Sequence, residues 1–182
     1  MGKESGKSGI AIDEKRWFAV YTRYKREKIV VKRLLEKNIQ AYVPLQEFTR
    51  YYTRKVKKVE LPLISCYIFV KIDKSEYVPV LETTDVVQFI KFNKELIPIP
   101  EDSIKILRQI TGEGIEVELS QGIIQVGQKA EIIGGRLTGL VGKVIEKRGE
   151  KNFIIELDAL RYNLHLQVPK QYLRVLASNS KM

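Results

Sequence analysis

The 182-residue sequence holds one cysteine, Cys66, and one histidine, His165. A single thiol excludes an internal disulfide framework and fits a reducing compartment, so a cytoplasmic location is expected. One histidine with one cysteine falls short of the ligand set of a zinc site. A Cys–His catalytic pair is disfavoured as well. Cys66 is predicted on the apolar face of a strand, where a thiol behaves as a small buried hydrophobe. His165 falls on the polar face of another. The sequence contains no G-x-x-x-x-G-K-[ST], G-x-G-x-x-G or H-E-x-x-H pattern. Its carboxylates are scattered among lysines at ordinary surface spacing, so neither an active site nor a metal or cofactor is expected. No apolar run approaches the ~18 residues needed to span a bilayer. The opening stretch MGKESGKSGIAIDEKR has charge without an apolar core, unlike a signal peptide. Residues 1–15 are expected to be a disordered leader and residues 177–182 a tail. No repeat of solenoid period is present.

What is abundant is positive charge. Lys and Arg number 32 against 22 Asp and Glu, a net of +10, with a pI near 9.6. Such a field favours polyanions, nucleic acid or an anionic membrane surface, although a merely soluble basic protein carries the same charge. The hydrophobic fraction of 44% is ordinary for a protein with a packed core. Residues 16–112 carry 19 basic and 11 acidic side chains, and residues 123–182 carry 10 and 5. Between them EGIEVELSQG, residues 113–122, has three glutamates and no cation, with Gly112, Gly114 and Gly122 around it. This composition shift predicts two basic units joined by an acidic linker.

In the first unit WFAVYT, residues 17–22, is aromatic and β-branched and predicts a strand. From Arg23 to Lys37 the apolar Val30, Val31, Leu34 and Leu35 form one helical stripe, ending near Asn38. Extended segments are expected at 41–44 and 47–52. In CYIFVKI the period of two puts Cys66, Ile68, Val70 and Ile72 on one face and Tyr67, Phe69 and Lys71 on the other. Ser75 is positioned to cap a short helix. VVQFIKF, residues 86–92, predicts another strand. Pro100 opens a helix whose Ile104, Leu107 and Ile110 share a face, with Gly112 as its terminator. The expected fold class is α+β, a mostly antiparallel sheet packed with helices.

The second unit, residues 123–176, reads as five short strands near 129–133, 140–146, 152–157, 162–168 and 173–176, separated by glycine turns. Tyr162, Leu164, Leu166 and Val168 alternate with Asn163, His165 and Gln167. Such a run predicts a small all-β barrel.

Three groups of side chains suit binding. Tyr67 and Phe69 share a strand face and Tyr21 comes from another strand; the residues alone leave open whether these rings are core or an exposed docking surface. Arg23, Lys25, Arg26 and Lys28 cluster around Tyr24 where the first strand enters its helix. Such a corner suits phosphates with a ring to stack on an unpaired base, or is a solvated helix start. Cations at a helix N-terminus oppose the macrodipole, so a compensating anion would make sense of them. RYYTRKVKK, Arg50–Lys58, has five basic residues and two tyrosines on a predicted hairpin arm.

The ordered set WFAVYT, EKIVVKRLL, YVPL, PLISCYIFVKI, VVQFIKF and PIPEDSI resembles the NusG N-terminal domain over nearly the whole first unit. Members usually carry Pro-Gly-Tyr before the central strand, where this chain has Ser65-Cys66-Tyr67. VGQKAEIIGGRLTGLVGKVIE resembles a KOW motif, which implies an SH3-like barrel. The resemblance implies a transcription elongation or antitermination factor, not an enzyme, at 16–112 and 123–176. Tyr21, Ile64, Tyr67 and Phe69 would dock on the clamp helices of the RNA polymerase largest subunit. Arg23, Tyr24, Lys25, Arg26 and Lys28 would meet the non-template DNA strand. The KOW domain would recruit a ribosomal protein or a termination factor. YTRYKREKIVVKRLLEKNIQAYVPL is similar to specialised antiterminators of polysaccharide operons, expected as monomers away from the membrane. Two alternatives remain at this level: a KOW-type ribosome- or RNA-binding protein without polymerase affinity, and an enzyme acting on an anionic substrate.

Overall fold

Strict alternation along two neighbouring strands sets the architecture. The computed structural model describes residues 9–53, 55–112, 115, 117–121, 127–147, 150–157 and 162–176. Strand β1 (Arg16–Thr22) pairs antiparallel with β5 (Tyr67–Ile72), matching Phe18 to Val70, Ala19 to Phe69 and Val20 to Ile68. With β2 (Gln40–Tyr42) and β6 (Val86–Phe89) they form a sheet of order β2-β5-β1-β6. Phe18, Val20, Ile68, Val70 and Ile72 point to one side and are buried with Val30 and Leu34 of α1 (Glu27–Glu36) and Val80 of α2 (Tyr77–Leu81). Helix α1 stops where its stripe does: Asn38 takes φ 59, the left-handed region, and the Ile39 amide returns to the Leu34 carbonyl at 2.9 Å.

Trp17, Ala19 and Phe69 point to the other side. They share a cluster with Ile104, Leu107 and Ile110 of α3 (Glu101–Gly112) and with apolar residues of the second unit. Both faces of the β1–β5 pair are therefore covered.

Between β2 and β5 the chain makes a separate ribbon, β3 (Leu45–Tyr52) and β4 (Lys55–Pro62). The expected strand at 86–92 is divided: β6 ends at Phe89, and β7 (Lys91–Phe92) turns tightly into β8 (Glu95–Leu96). Asn93 and Lys94 both have positive φ there, as a two-residue type I′ turn requires. The short helix is not capped by Ser75. Asp73 accepts from the Ser75 amide at 2.8 Å, and Glu76 reaches back to the Asp73 amide, a capping box that holds the chain as it enters α2. Part of the expected leader is also engaged: the Lys74 amide donates to the Ala11 carbonyl at 2.9 Å, and Ile10 packs against the α1 side of the core. Residues 1–8 and the tail lie outside the described residues.

The second unit is a six-stranded antiparallel sheet of order β14-β10-β11-β12-β13-β9. Its strands are β9 (Val117–Gln121), β10 (Gln128–Ile132), β11 (Val141–Lys147), β12 (Glu150–Leu157), β13 (Tyr162–Gln167) and β14 (Leu173–Val175). The stretch read as an acidic linker contributes β9, which pairs Val117 with Leu166 and Leu119 with Leu164. Val117 and Leu119 alternate with polar residues, and that period of two outweighs the glutamates. On β13 the side expected to be polar is not open: Asn163 is buried, and His165 Nε2 lies 2.6 Å from Ser120 Oγ.

Close packing demands glycine at Gly142, opposite Ala130 on β10: a Cβ there would meet the Ile154 carbonyl oxygen at 2.3 Å and the Phe153 ring at 2.8 Å. Gly142→Ala should therefore lower the stability of this unit by about 1–3 kcal/mol, as overpacking does. Urea unfolding followed by far-ultraviolet circular dichroism checks this; an unchanged midpoint would contradict the packing described.

Candidate functional site

Position by position, β1 and β5 lay out the aromatic surface. Tyr21 faces Tyr67 across the ladder, Ala19 faces Phe69 and Trp17 faces Lys71. The Tyr21 and Tyr67 rings meet edge to face at 5.7 Å, and on its other side Tyr67 meets Tyr162 of the barrel at 6.0 Å, again edge to face. Tyr67 thus stands in a row of three tyrosines that crosses the seam between the two units. Tyr21 keeps 36% of its surface, while Phe69 and Ile64 keep 0% and 1%.

The expectation of an open aromatic face therefore needs correction. Phe69 stacks on Tyr42 at 6.3 Å, and Arg108 of α3 lies over both Tyr42 and Trp17, at 5.1 and 5.5 Å. Glu101 Oε2 accepts from Trp17 Nε1 at 2.9 Å and from Lys71 Nζ at 3.0 Å. These contacts lay α3 along the far part of the face, and Tyr162 covers the near part. Of the four proposed docking residues, Tyr21 and Tyr67 lie at the surface or just below it; Ile64 and Phe69 are packed beneath.

The phenols are held neutral. A hydrogen bond with the Cys66 thiol, then its charge and burial, raises Tyr21 above the ordinary tyrosine pKa. Burial, followed by the neighbouring tyrosines, raises Tyr67. The Glu101 carboxyl is lowered, first by its hydrogen bond from Lys71 and then by Trp17.

The turn before β5 is built around Cys66, which precedes the strand and takes φ 66. A left-handed residue is easiest for glycine, so Cys66 needs support. Its amide donates to Glu27 Oε1 at 2.7 Å, and its carbonyl accepts from the Thr22 amide at 2.8 Å. Glu27 is buried, at the first position of α1. It is a residue that sequence reasoning missed. Its signal was weak: a lone acid inside RYKREK, the segment from Arg23 to Lys28.

That inward acid shapes the basic corner. Arg23, Tyr24, Lys25, Arg26 and Lys28 are all exposed, while the carboxylate among them is turned into the fold. Lys25 has φ 61, and its ammonium lies 5.1 Å from the Tyr24 ring centroid. Lys28 pairs with Glu60 of β4 at 3.3 Å. Arg23 and Arg26 have no ion pair among the described residues. Arg26 precedes α1 without a side-chain cap, so among the described residues no cap satisfies the first amides of the helix beside these cations. The structure brings together an exposed ring, uncompensated guanidinium groups and a helix N-terminus, which suits a phosphate-bearing strand.

Among the described residues no group of His, Cys, Asp and Glu could hold a metal ion, and no helix is long and apolar enough to cross a membrane.

Residues 15–108 match the family model described as "Transcription termination factor nusG". Among solved structures, one described as "Domain interaction in Thermotoga maritima NusG" matches with a TM-score of 0.53 and 17% identity, covering 90% of this chain and 98% of that one. A structure of the MjSpt4:Spt5 complex matches at 17% identity over 89% of this chain and 97% of that one, with a TM-score of 0.30. A search of curated proteins gives no match. At such identities the likeness to Thermotoga maritima NusG speaks for the fold alone.

Replacing Glu27 tests the turn that supports Tyr67. Glu27→Ala orphans the Cys66 amide and should cost about 1–3 kcal/mol. Glu27→Gln keeps a carbonyl acceptor and should cost less. Paired urea titrations check the order; equal losses would remove the hydrogen bond from this account.

Proposed function

Because the chain belongs to the NusG family of transcription factors, we propose that it acts as an elongation or antitermination factor that binds RNA polymerase through its first unit. The reading is carried by one observation: the tyrosine row begins at Tyr21, exposed, and continues to Tyr67, whose other neighbour is a ring of the second unit, Tyr162. Tyr21 and Tyr67 would meet the clamp helices of the largest subunit, with Ile64 and Phe69 holding the platform from below. A helix pair lying on Tyr67 needs the place that Tyr162 holds, so polymerase and barrel compete for it. Binding that favours one clamp state shifts pausing by its differential affinity and no further.

The basic corner supplies the second contact. In this reading Arg23, Lys25, Arg26 and Lys28 hold phosphates of the displaced non-template strand, and Tyr24 stacks on a base. Service to a restricted set of operons, as in the polysaccharide antiterminators that the segment 21–45 resembles, belongs to the same proposal. So does recruitment of a ribosomal protein or termination factor by the barrel.

Full-length variants and an immobilised clamp-helix fragment test the docking. Tyr21→Ala with Tyr67→Ala should reduce capture at least tenfold while the protein stays folded. Tyr162→Ala should raise capture roughly twofold to tenfold, because an edge-to-face pair is worth about 0.5–1.5 kcal/mol. Unchanged capture by the folded double variant would overturn the docking surface. At the corner, Arg23→Ala with Lys25→Ala should flatten the salt dependence of single-stranded DNA binding by up to about 1.4 in slope. An unaltered slope would remove those residues from the contact.

A further inference from the structure

The chain between the two units is shorter than its composition implies. Helix α3 runs to Gly112 and is fastened to the first unit: Ile104, Leu107 and Ile110 are buried, and Thr111 Oγ1 lies 3.2 Å from Tyr42 Oη. Strand β9 begins at Val117 and belongs to the barrel. Five matched pairs join it to β13, Val117 and Leu119 pack against the barrel core, and Ser120 Oγ meets His165 Nε2 at 2.6 Å. Four residues, 113–116, remain between α3 and β9. At no more than about 3.6 Å per step, the Cα atoms of Gly112 and Val117 stay within about 18 Å of each other. A connector of ten residues, as the glutamates suggest, would have allowed about 40 Å.

This short reach matches the exchange at Tyr67. A helix with its side chains is about 10–12 Å across. For one to lie on Tyr67, Tyr162 has to withdraw by roughly that much from a ring contact of 6.0 Å. The tether permits such a swing and little more. A displaced barrel therefore stays within about one helix diameter of the place it left. The connector's own contact acts in the same sense. The buried Gln46 donates from Nε2 to the Ile115 carbonyl at 3.4 Å, which draws the tether to the root of β3.

We propose that β9 sets the strength of a self-competition. By pairing with β13 it shortens the tether to four residues. The barrel is thereby held at an effective concentration of millimolar order or higher, where it closes on the Tyr21–Tyr67 surface unless a helical partner occupies that surface. The proposal rests on the reading that polymerase and barrel compete for Tyr67, and it gives that competition its control. Apparent affinity for a helical partner is the intrinsic affinity multiplied by the fraction of molecules that are open. For a slack chain, effective concentration falls as about the −3/2 power of tether length. Where the closed form predominates, the open fraction rises in inverse proportion. The number of residues between α3 and β9 therefore sets how readily the docking surface is reached. Composition points to the glutamates as the connector; the control lies in the strand that removes most of them from it.

Four full-length proteins on the immobilised clamp-helix fragment test this. They are the natural chain, a chain with twelve Gly-Ser residues inserted between Gly114 and Ile115, a chain with the same twelve residues after Met182, and Tyr162→Ala. Circular dichroism establishes that each is folded. The tether insertion makes the connector four times longer and should raise the capture affinity about eightfold. The appended residues should leave it unchanged. If Tyr162→Ala raises capture and the tether insertion does not, the tether proposal is overturned and the competition stands. If neither raises it, the competition fails and the proposal with it. A rise with the appended residues equal to that with the insertion also overturns the role of the tether. Amide hydrogen exchange supplies an independent reading: β9 should keep its protection when the fragment binds. Loss of that protection would mean that β9 peels from β13, and a four-residue tether would no longer describe the open protein.

Discussion

The register between β1 and β5 is the constraint on which the rest depends. Six matched pairs run from Arg16 against Ile72 to Tyr21 against Tyr67. Side chains alternate, so one register assigns two layers together. Phe18 and Val20 go with Ile68 and Val70 toward α1 and α2, and Trp17 and Ala19 go with Phe69 toward α3 and the barrel. A slip of one residue would reverse every side chain of a strand. Lys71 would then enter the apolar layer and Ile72 would leave it. The same register sets Tyr21 beside Tyr67, so the aromatic row is a consequence of the core rather than an addition to it.

One end of that ladder, where β1 stops and β5 begins, is tied to the start of α1. Thr22 ends β1 and donates to the Cys66 carbonyl; Glu27 opens α1 and accepts from the Cys66 amide. The left-handed turn at Cys66 is thereby held through both of its backbone groups. The consequence reaches the surface. A carboxylate spent on this turn cannot neutralise Arg23, Lys25 or Arg26, so the fold itself keeps the corner cationic. Electrostatics there follow from a backbone requirement at a neighbouring turn.

Periodicity made much of this legible. The α1 stripe of Val30 and Leu34, the α3 stripe of Ile104, Leu107 and Ile110, the alternation of β5 and the barrel strands all follow from one residue's spacing to the next. What lies against each face was not legible. The Tyr67, Phe69 and Lys71 side contains a lysine and reads as partly solvated, yet the ammonium of Lys71 is taken by Glu101, thirty positions away. β9 was obscured because its glutamates dominate composition while Val117 and Leu119 carry the pairing. The cap of the short helix went to Asp73 because a carboxylate two residues ahead of an amide competes well with a hydroxyl. Local pattern names the faces; partners distant in sequence decide their use.

The seam between the units sets the energetic scale of the proposed exchange. The edge-to-face contact of Tyr67 with Tyr162 is worth about 0.5–1.5 kcal/mol beyond its burial, which alone would hold two units together poorly. The larger share comes from the apolar cluster in which Trp17, Ile64 and Phe69 meet residues such as Leu137, Leu140 and Leu164. A partner that removed the barrel would expose part of that surface to water, at about 25 cal/mol for each Å². It must therefore return a comparable apolar area, and a charged strand alone does not. This separates the roles of the two candidate contacts: nucleic acid at the corner can orient and retain the protein, whereas opening the seam requires an apolar helical face laid against the sheet.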